Sequence, residues 1–402
     1  MALEIRSIRD DEVAAFHHAL FQTFGVDADV DPGYPDRMRA TLDLAQAWAA
    51  FDDGAIVATA GTFALDVGVP GGRSLPVAGL TMVTVRPTHR RRGLLRQLMQ
   101  RHFDDARARG YAASGLWASE AGIYGRFGYG LASMSDAVEI AGAHALTVAA
   151  GRELDELAPL DEKRARELLP AIYARATAGR PGALRRSEVW WRERRFLESP
   201  WSRGGASTRR HVVARRGGEL VGYIVYRQRA GFTDGVPSGS VEINELLAVD
   251  ARAEATLWKF ALAVDLHPRV TWWNAPVDDA LPWLVDDPRR IKRRRTDNLY
   301  LRIDDVPAAL AARGYLHDGV LRLAVEDQTW ELTAEAGNGR CVATTKAADV
   351  RLDRATLGAL YLGGTPASQL ARAGLVEGDA RALAAADRMF ATLVAPWCPE
   401  VF

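Results

Sequence analysis

The sequence predicts a mixed chain of α+β class, built from two copies of one strand-and-helix unit followed by a different α+β segment. Three observations predict it. At 402 residues the chain is too long for one ordinary core, so two or three domains are expected. The order strand, two helices, three antiparallel strands, helix, strand, helix, strand reads out over the first third and, with weaker residue matching, over the second. The last third has its own alternation of short strands and helices.

Composition narrows the class. A hydrophobic share of 48% with 25% charged residues is that of a soluble globular protein and excludes disorder. Lys+Arg 51 against Asp+Glu 51 gives net charge +0, which favours neither nucleic acid nor an anionic membrane as partner. Cys341 and Cys398 are the only cysteines and belong to no C-x-x-C or Cys/His array, so neither a disulfide framework nor a metal site is expected. No apolar run reaches the roughly 18 residues of a membrane span. The first residues carry charge where a signal peptide needs an apolar core, and a cytoplasmic location is expected.

The elements follow in order. Leu3 to Ile8 alternates as a strand, and Asp10 caps a helix running toward Phe24 with Asp11 and Glu12 in its first turn. A loop over 25–35, a second helix to about Leu44, and a hairpin turning at Asp52-Asp53-Gly54 lead to a long strand, Leu75 to Val85. A helix from Leu94, a buried strand over Tyr111 to Trp117, a short helix over Glu120 to Phe127 and a strand over Leu131 to Ile140 complete the first copy.

Val83 to Arg96 carries the chemistry. A β-branched run stops at Pro87, three arginines precede Gly93, and Leu94 opens the helix. A helix N-terminus points unpaired N–H groups outward beside fixed positive charge, which suits a phosphate or pyrophosphate. Arg90, Arg91, Arg92, Gly93, Leu94, Leu95 and Arg96 are therefore the expected phosphate cradle. His89 lies beside them with no partner visible in the sequence.

In the second copy, a strand over Arg152 to Leu157, helices over Asp161 to Ala178 and Ser187 to Leu197, a hairpin turning at Gly217-Gly218, a strand over Val241 to Val249, a helix to Leu266 and a strand over Val270 to Trp273 repeat the order. Here Asp250-Ala251-Arg252-Ala253-Glu254 has no glycine and two acids, so the equivalent cofactor site is degenerate. Trp190-Trp191 and Trp272-Trp273 are expected in packing or at a subunit interface. Asp286 to Arg295, with Pro288 and a basic run, is the expected domain boundary, read as a solvated linker. Strands near 299–303, 321–325, 329–334 and 341–344 and helices near 355–362, 368–373 and 380–390 follow. The expected domains are 1–148, 149–290 and 291–402.

The element order resembles the GNAT (Gcn5-related) N-acetyltransferase fold, and Val85-x-Pro87-x-x-Arg90-Arg91-Arg92-Gly93-Leu94-Leu95 resembles its acetyl-CoA signature R-x-x-G-x-G/A, with Leu95 at the final small position. Together with Ile123-Tyr124-Gly125-Arg126-Phe127-Gly128-Tyr129-Gly130 and a chain ending on Phe402, the layout is similar to the Eis (enhanced intracellular survival) family. The resemblance covers essentially the whole chain. It implies tandem GNAT domains, a C-terminal domain similar to sterol carrier proteins, acetyl-CoA as co-substrate without a metal, and a homohexamer.

It also implies roles. Backbone N–H groups of Val83 and Val85, with Thr84 between them, would hold the pantetheine and thioester on a splayed strand. Tyr124 matches the family's catalytic tyrosine; a phenol with a reference pKa of ~10 is protonated at neutral pH and can donate to a departing thiolate. Phe402 matches the terminal residue whose carboxylate serves as base. The implied substrates are amines: aminoglycosides, polyamines, cationic peptides or protein lysines. A cationic ligand calls for acids and aromatics. Phe24, Asp27, Asp29, Asp31, Tyr34, Glu120 and Glu400 are candidates, with Trp117 standing where better-known relatives place a histidine. Two other readings remain open at this point: transfer of a longer acyl chain, since N-myristoyltransferases also join two GNAT units, and a non-catalytic protein that binds CoA or an apolar ligand.

Overall fold

The structure, a computed structural model, describes residues 3–148, 153–199 and 201–402. In chain order the first elements are β1 (Glu4–Ser7), α1 (Val13–Thr23), α2 (Tyr34–Thr41), β2 (Ala47–Asp52), β3 (Ala55–Val69), β4 (Arg73–Val85), α3 (Leu94–Ala108), β5 (Ala113–Leu116) and β6 (Gly130–Leu131). Then come β7 (Met134–Ala141), β8 (Glu156–Leu160), α4 (Glu162–Ala176), α5 (Glu188–Trp190), β9 (Arg210–Arg216), β10 (Glu219–Arg229), the small hairpin β11 (Phe232–Thr233) and β12 (Val236–Pro237), β13 (Ser240–Ala248), α6 (Ala251–Leu262), β14 (Arg269–Ala275), α7 (Leu281–Leu284) and β15 (Ile291–Asp297). The last part holds β16 (Tyr300–Ile303), α8 (Val306–Ala312), β17 (Gly319–Val325), β18 (Gln328–Glu335), β19 (Asn338–Ala343), β20 (Val350–Leu352), α9 (Arg354–Tyr361), α10 (Ala367–Arg372), β21 (Val376–Gly378) and α11 (Ala380–Phe390). None of the helices among the described residues is long and apolar enough to cross a membrane.

The chain packs as two units. Unit 1 comprises 1–133, 180–185 and 298–402; unit 2 comprises 134–179 and 186–297. Unit 1 contains the sheet β1-β2-β3-β4-β5-β16-β6 and the five-stranded sheet β19-β18-β17-β20-β21. Unit 2 contains the sheet β15-β7-β14-β13-β10-β9-β8. In unit 1 the hairpin β2-β3 turns on Asp53 and Gly54, both at positive φ (49° and 80°), and in unit 2 the hairpin β9-β10 turns on Gly217 and Gly218 (53° and 87°). Two consecutive positive φ values define the type I′ turn whose twist matches paired strands.

Four expectations are corrected. Arg9, not Asp10, is the N-cap of the first helical turn, and the Glu12 side chain accepts from its backbone N–H at 2.8 Å. The strand expected over Leu131 to Ile140 is divided, with Gly130–Leu131 in the first sheet and Met134–Ala141 in the second. The strand at 300–303 belongs to the first sheet, between β5 and β6, pairing Tyr300 with Leu116 and Ile303 with Ala113. The basic run is not a linker. Residues 291–297 form the edge strand of the unit 2 sheet, paired along their length with β7. Alternation explains its charge: Arg293 turns to Asp279 and Asp136, Arg295 meets Asp136 at 2.6 Å, and Lys292 and Arg294 stay exposed. Charged side chains on an edge discourage pairing with another strand. The strand expected from Arg152 begins outside the described residues; the observed strand is Glu156–Leu160. Trp190, Trp191 and Trp272 are buried, whereas Trp273 is 52% exposed.

Candidate active site

β4 and β5 make the site by parting. They pair in parallel only over Val77↔Ala113, Ala78↔Ser114 and Gly79↔Gly115, and β4 then continues alone on that side to Val85. A bulge sits where it does so: the β3–β4 register shifts between Thr59 and Gly61, Met82 takes φ 55°, and Thr59 Oγ1 donates to the Met82 carbonyl at 2.7 Å. Holding a non-glycine residue in the left-handed region costs about 1 kcal/mol, offset here by that hydrogen bond.

Beyond the bulge the ladder fixes which groups face the gap. Arg86 N–H donates to the Val57 carbonyl at 2.8 Å, and Thr84 sits opposite Thr59. Antiparallel pairing alternates, so Thr84 and Arg86 point their N–H groups at β3, and Val83 and Val85 point theirs at the open side. Thr84 is committed inward, with Oγ1 at 2.6 Å from Thr59 Oγ1.

The turn after β4 is rich in positive charge, of which only Arg92 meets an acid among the described residues, Asp52 at 3.9 Å. Gly93 is the N-cap of α3 at φ 78°, and Arg91 is also left-handed at φ 64°. Leu94 is buried and Leu95 packs partly into the apolar cluster, so the larger residue at the family's small position is accommodated. Arg90, Arg91 and Arg96 are exposed and make no ion pair among the described residues. Arg86 Nε is buried with no hydrogen-bond partner among them. His89 does have a partner: Nε2 lies 3.0 Å from Asp52 Oδ2 and Nδ1 lies 2.8 Å from Thr88 Oγ1. The exposed Arg90, Arg91 and Arg96 and the α3 N-terminus are groups that could hold a pyrophosphate at this turn.

Unit 2 shows the opposite arrangement at the corresponding helix start. Asp250 caps α6, accepting from Ala253 N–H at 3.0 Å, and Arg216 bridges Asp250 and Asp155 at 2.8 Å each. Arg252 adds a contact with Asp155 at 2.8 Å. The Arg216 hydrogen bond holds Asp250 down at about 2. Arg216 and the Ala253 N–H already serve Asp155 and Asp250, so an incoming phosphate would meet negative charge.

Tyr124 follows a short turn, 121–123, after β5 and is 6% exposed in the cluster of Trp48, Leu80, Leu98, Leu116 and Tyr129. Burial, then the charge of Glu120, pushes its phenol up to about 12. Its ring meets Tyr129 edge-on at 6.1 Å. Behind it runs a buried chain, Tyr129 hydroxyl to His102 Nε2 at 3.2 Å and His102 Nδ1 to Thr62 at 2.7 Å. Burial, then the charge of Arg302, pushes His102 down to about 3, so the imidazole is neutral and serves as a support.

The C-terminal tail docks on unit 1. Trp397, Cys398, Glu400 and Phe402 are buried and Val401 is 45% exposed. Trp397 N–H donates to the Pro181 carbonyl at 2.9 Å and Arg180 Nη1 to the Ala395 carbonyl at 2.9 Å. Asn298 grips Cys398 on both sides: Oδ1 accepts from its N–H at 2.8 Å and Nδ2 donates to its carbonyl at 3.0 Å. Ser133 Oγ adds 2.7 Å to the same Oδ1. The tail ends at Gly79, where a Cβ would lie 3.3 Å from Phe402 Cε2 and 2.4 Å from Leu65 Cδ1. Gly79 thus serves by having no side chain, at the last β4 position paired with β5. Asn298→Ala would strip three buried hydrogen bonds, and a loss of about 2–4 kcal/mol is expected with a fall in kcat, read by thermal unfolding and steady-state rates.

The amine-side candidates scatter more. Phe24 is 55% exposed and Asp27 exposed, and neither side chain makes a hydrogen bond, ion pair or ring contact among the described residues. Asp31 is 7% exposed and committed to Arg37, 3.0 Å from Nη1. Tyr34 stacks on His17 at 4.8 Å. Trp117 is half-buried and Glu120 exposed, both on the segment leading to Tyr124. Glu400 is buried two residues before the tail's end. Sequence reasoning missed Asn298 and Arg86. Arg86 lies inside the basic stretch and precedes a proline, which was a usable signal; nothing local marks Asn298, whose partners are 100 and 165 residues away.

Comparison with known proteins places the domains in families. Residues 4–132 and 182–303 each match an acetyltransferase (GNAT) domain family, and residues 306–399 match the sterol carrier protein domain. The chain is 40% identical to an uncharacterized N-acetyltransferase of Streptomyces coelicolor over 426 aligned positions covering all of both chains. It is 36% identical to N-acetyltransferase Eis of Mycobacterium bovis over 82% of this chain and 81% of that one. The crystal structure of Eis1 from Mycobacterium abscessus superposes with TM-score 0.82 at 30% identity, covering 99% of this chain and 100% of that one. An acyltransferase with two GNAT domains and a C-terminal sterol-carrier-protein-like domain, the chain belongs to the Eis family of GNAT N-acetyltransferases.

Proposed function

We propose that the protein transfers the acetyl group of acetyl-CoA to primary amines of polycationic substrates by direct attack in a ternary complex. One observation carries the reading: the Phe402 ring packs at Gly79, the last β4 residue paired with β5, beside which the Val83 and Val85 N–H groups face the gap.

The co-substrate supplies an activated acyl thioester. Arg86, Arg90 to Arg92, Arg96 and the first N–H groups of α3 hold its phosphates. Val83 and Val85 N–H groups bind the pantetheine and face the carbonyl oxygen as it gains charge. The Phe402 carboxylate, desolvated by its packing, accepts a proton from the substrate ammonium, directly or through a water. The freed nitrogen forms its bond to the acetyl carbon as the carbon–sulfur bond breaks. Tyr124 gives its proton to the departing sulfur, the second proton of the acylated nitrogen passes through water to the Tyr124 oxygen, and the proton held by Phe402 leaves to solvent with the products. The burial that pushes Tyr124 up also raises a thiolate leaving beside it, which keeps donor and acceptor matched. Exposed Asp27 and Glu120, with Phe24, Tyr34 and Trp117, supply the acidic and aromatic surface that a polycation needs, and the buried Glu400 lies behind it.

The test is thiol release by the full chain with acetyl-CoA and a panel of a polyamine, an aminoglycoside and a lysine-rich peptide. Turnover with polycationic amines, falling as the acyl chain of the CoA ester lengthens, is expected. No turnover with any amine would overturn the reading, and faster transfer of long chains would replace it with an acyltransferase of different donor.

A further inference from the structure

Arg313, directly after α8 in unit 1, is 0% exposed. Its guanidinium lies 4.9 Å from the centre of the Tyr315 ring and 4.7 Å from that of Phe390. Nη2 donates to the Phe390 carbonyl at 3.1 Å. Nε and Nη1 are buried and have no hydrogen-bond partner among the described residues.

Among the described residues no acidic side chain pairs with Arg313. The ionisable groups that bear on Arg313 are Tyr315 and Tyr361, whose hydroxyls donate to the carbonyls of Leu310 and Ala309 at 2.7 and 2.8 Å. Burial pushes the guanidinium down from its ordinary value, yet arginine stays protonated in proteins. By contrast, buried Glu245 pairs with Arg186 and Arg195, and buried Asp136 with Arg293 and Arg295. Two aromatic rings and the C-terminal end of α11, worth about half an elementary charge, compensate Arg313 only in part. A buried charge without a counter-ion is among the least tolerated features of a protein interior.

We propose that Arg313 lines a buried site for a small monovalent anion, halide in size, held by Nε and Nη1. The side chain is fully enclosed, which favours a small occupant, and water would supply lone pairs without the missing charge. The ion ties the end of α8 to the last residue of α11, the point from which the tail toward Phe402 departs.

The test uses the full chain exchanged into sodium gluconate, an anion too large for the site, and titrated with chloride at constant ionic strength. A saturable rise in Tm of about 2–4 °C is expected. Bromide should reproduce the rise, and Arg313→Met, of similar volume, should abolish it. A bromide-grown crystal should give an anomalous peak against Nε and Nη1. Equal Tm in gluconate and chloride, a rise that persists in Arg313→Met, or water alone beside the guanidinium would each overturn the proposal. Should Arg313→Met fail to fold, the wild-type titration and the anomalous peak decide.

Discussion

Tyr124→Phe is expected to lower kcat by roughly 10²–10³-fold while KM for acetyl-CoA changes by less than about twofold. The phenyl ring keeps the packing that Tyr124 makes against Tyr129 and the surrounding cluster, so thermal stability should hold. What is lost is the proton that the proposed mechanism gives to the departing sulfur. With its phenol pushed up to about 12, Tyr124 carries that proton across the whole neutral range, and its ionisation should not limit kcat below pH 10 in the wild type. Steady-state thiol release with the two proteins at saturating amine separates the cases. A variant with unchanged kcat would remove Tyr124 from the chemistry and leave it as a core aromatic.

Extending the chain by three residues beyond Phe402 is expected to cost kcat roughly 10²-fold or more, with CoA affinity preserved. Phe402 is 7% exposed and Trp397 and Cys398 are 1% and 0%, so the tail is anchored upstream and the added residues must displace the carboxylate rather than the anchor. Val401→Ala is the control, because that side chain is 45% exposed and should leave the rate unchanged. Loss of rate in the extended protein at unchanged Tm assigns the carboxylate a chemical role; full activity would make the tail an anchor only.

How much was legible depended on whether the signal was local. The strand, basic turn and helix start at 83–96 are written in adjacent residues, as are the Asp53-Gly54 and Gly217-Gly218 turns, and the structure has each where the residues put it. Long-range facts left little trace. Residues 291–297 look like a linker because a charged edge strand and a solvated segment have the same composition; only pairing with β7 tells them apart. The division after Leu131 is invisible for the same reason, since β6 and β7 are each plausible strands but belong to different sheets. His89 gains its partner from a residue 37 positions earlier, and Asp31 loses its availability to Arg37. Asn298 draws Ser133 and Cys398 together across most of unit 1, a role no local pattern could announce.

The proposed function places one working cofactor cradle in each chain, at Arg86 to Arg96, and none in unit 2. Calorimetric titration of the full chain with CoA tests this most directly, alongside Arg90→Ala/Arg91→Ala in unit 1 and Asp250→Ala in unit 2. The account predicts one CoA per chain, binding weakened roughly 10-fold or more by the paired arginine change, and no effect of Asp250→Ala. Two CoA per chain, or binding that survives the arginine change and falls with Asp250→Ala, would contradict it.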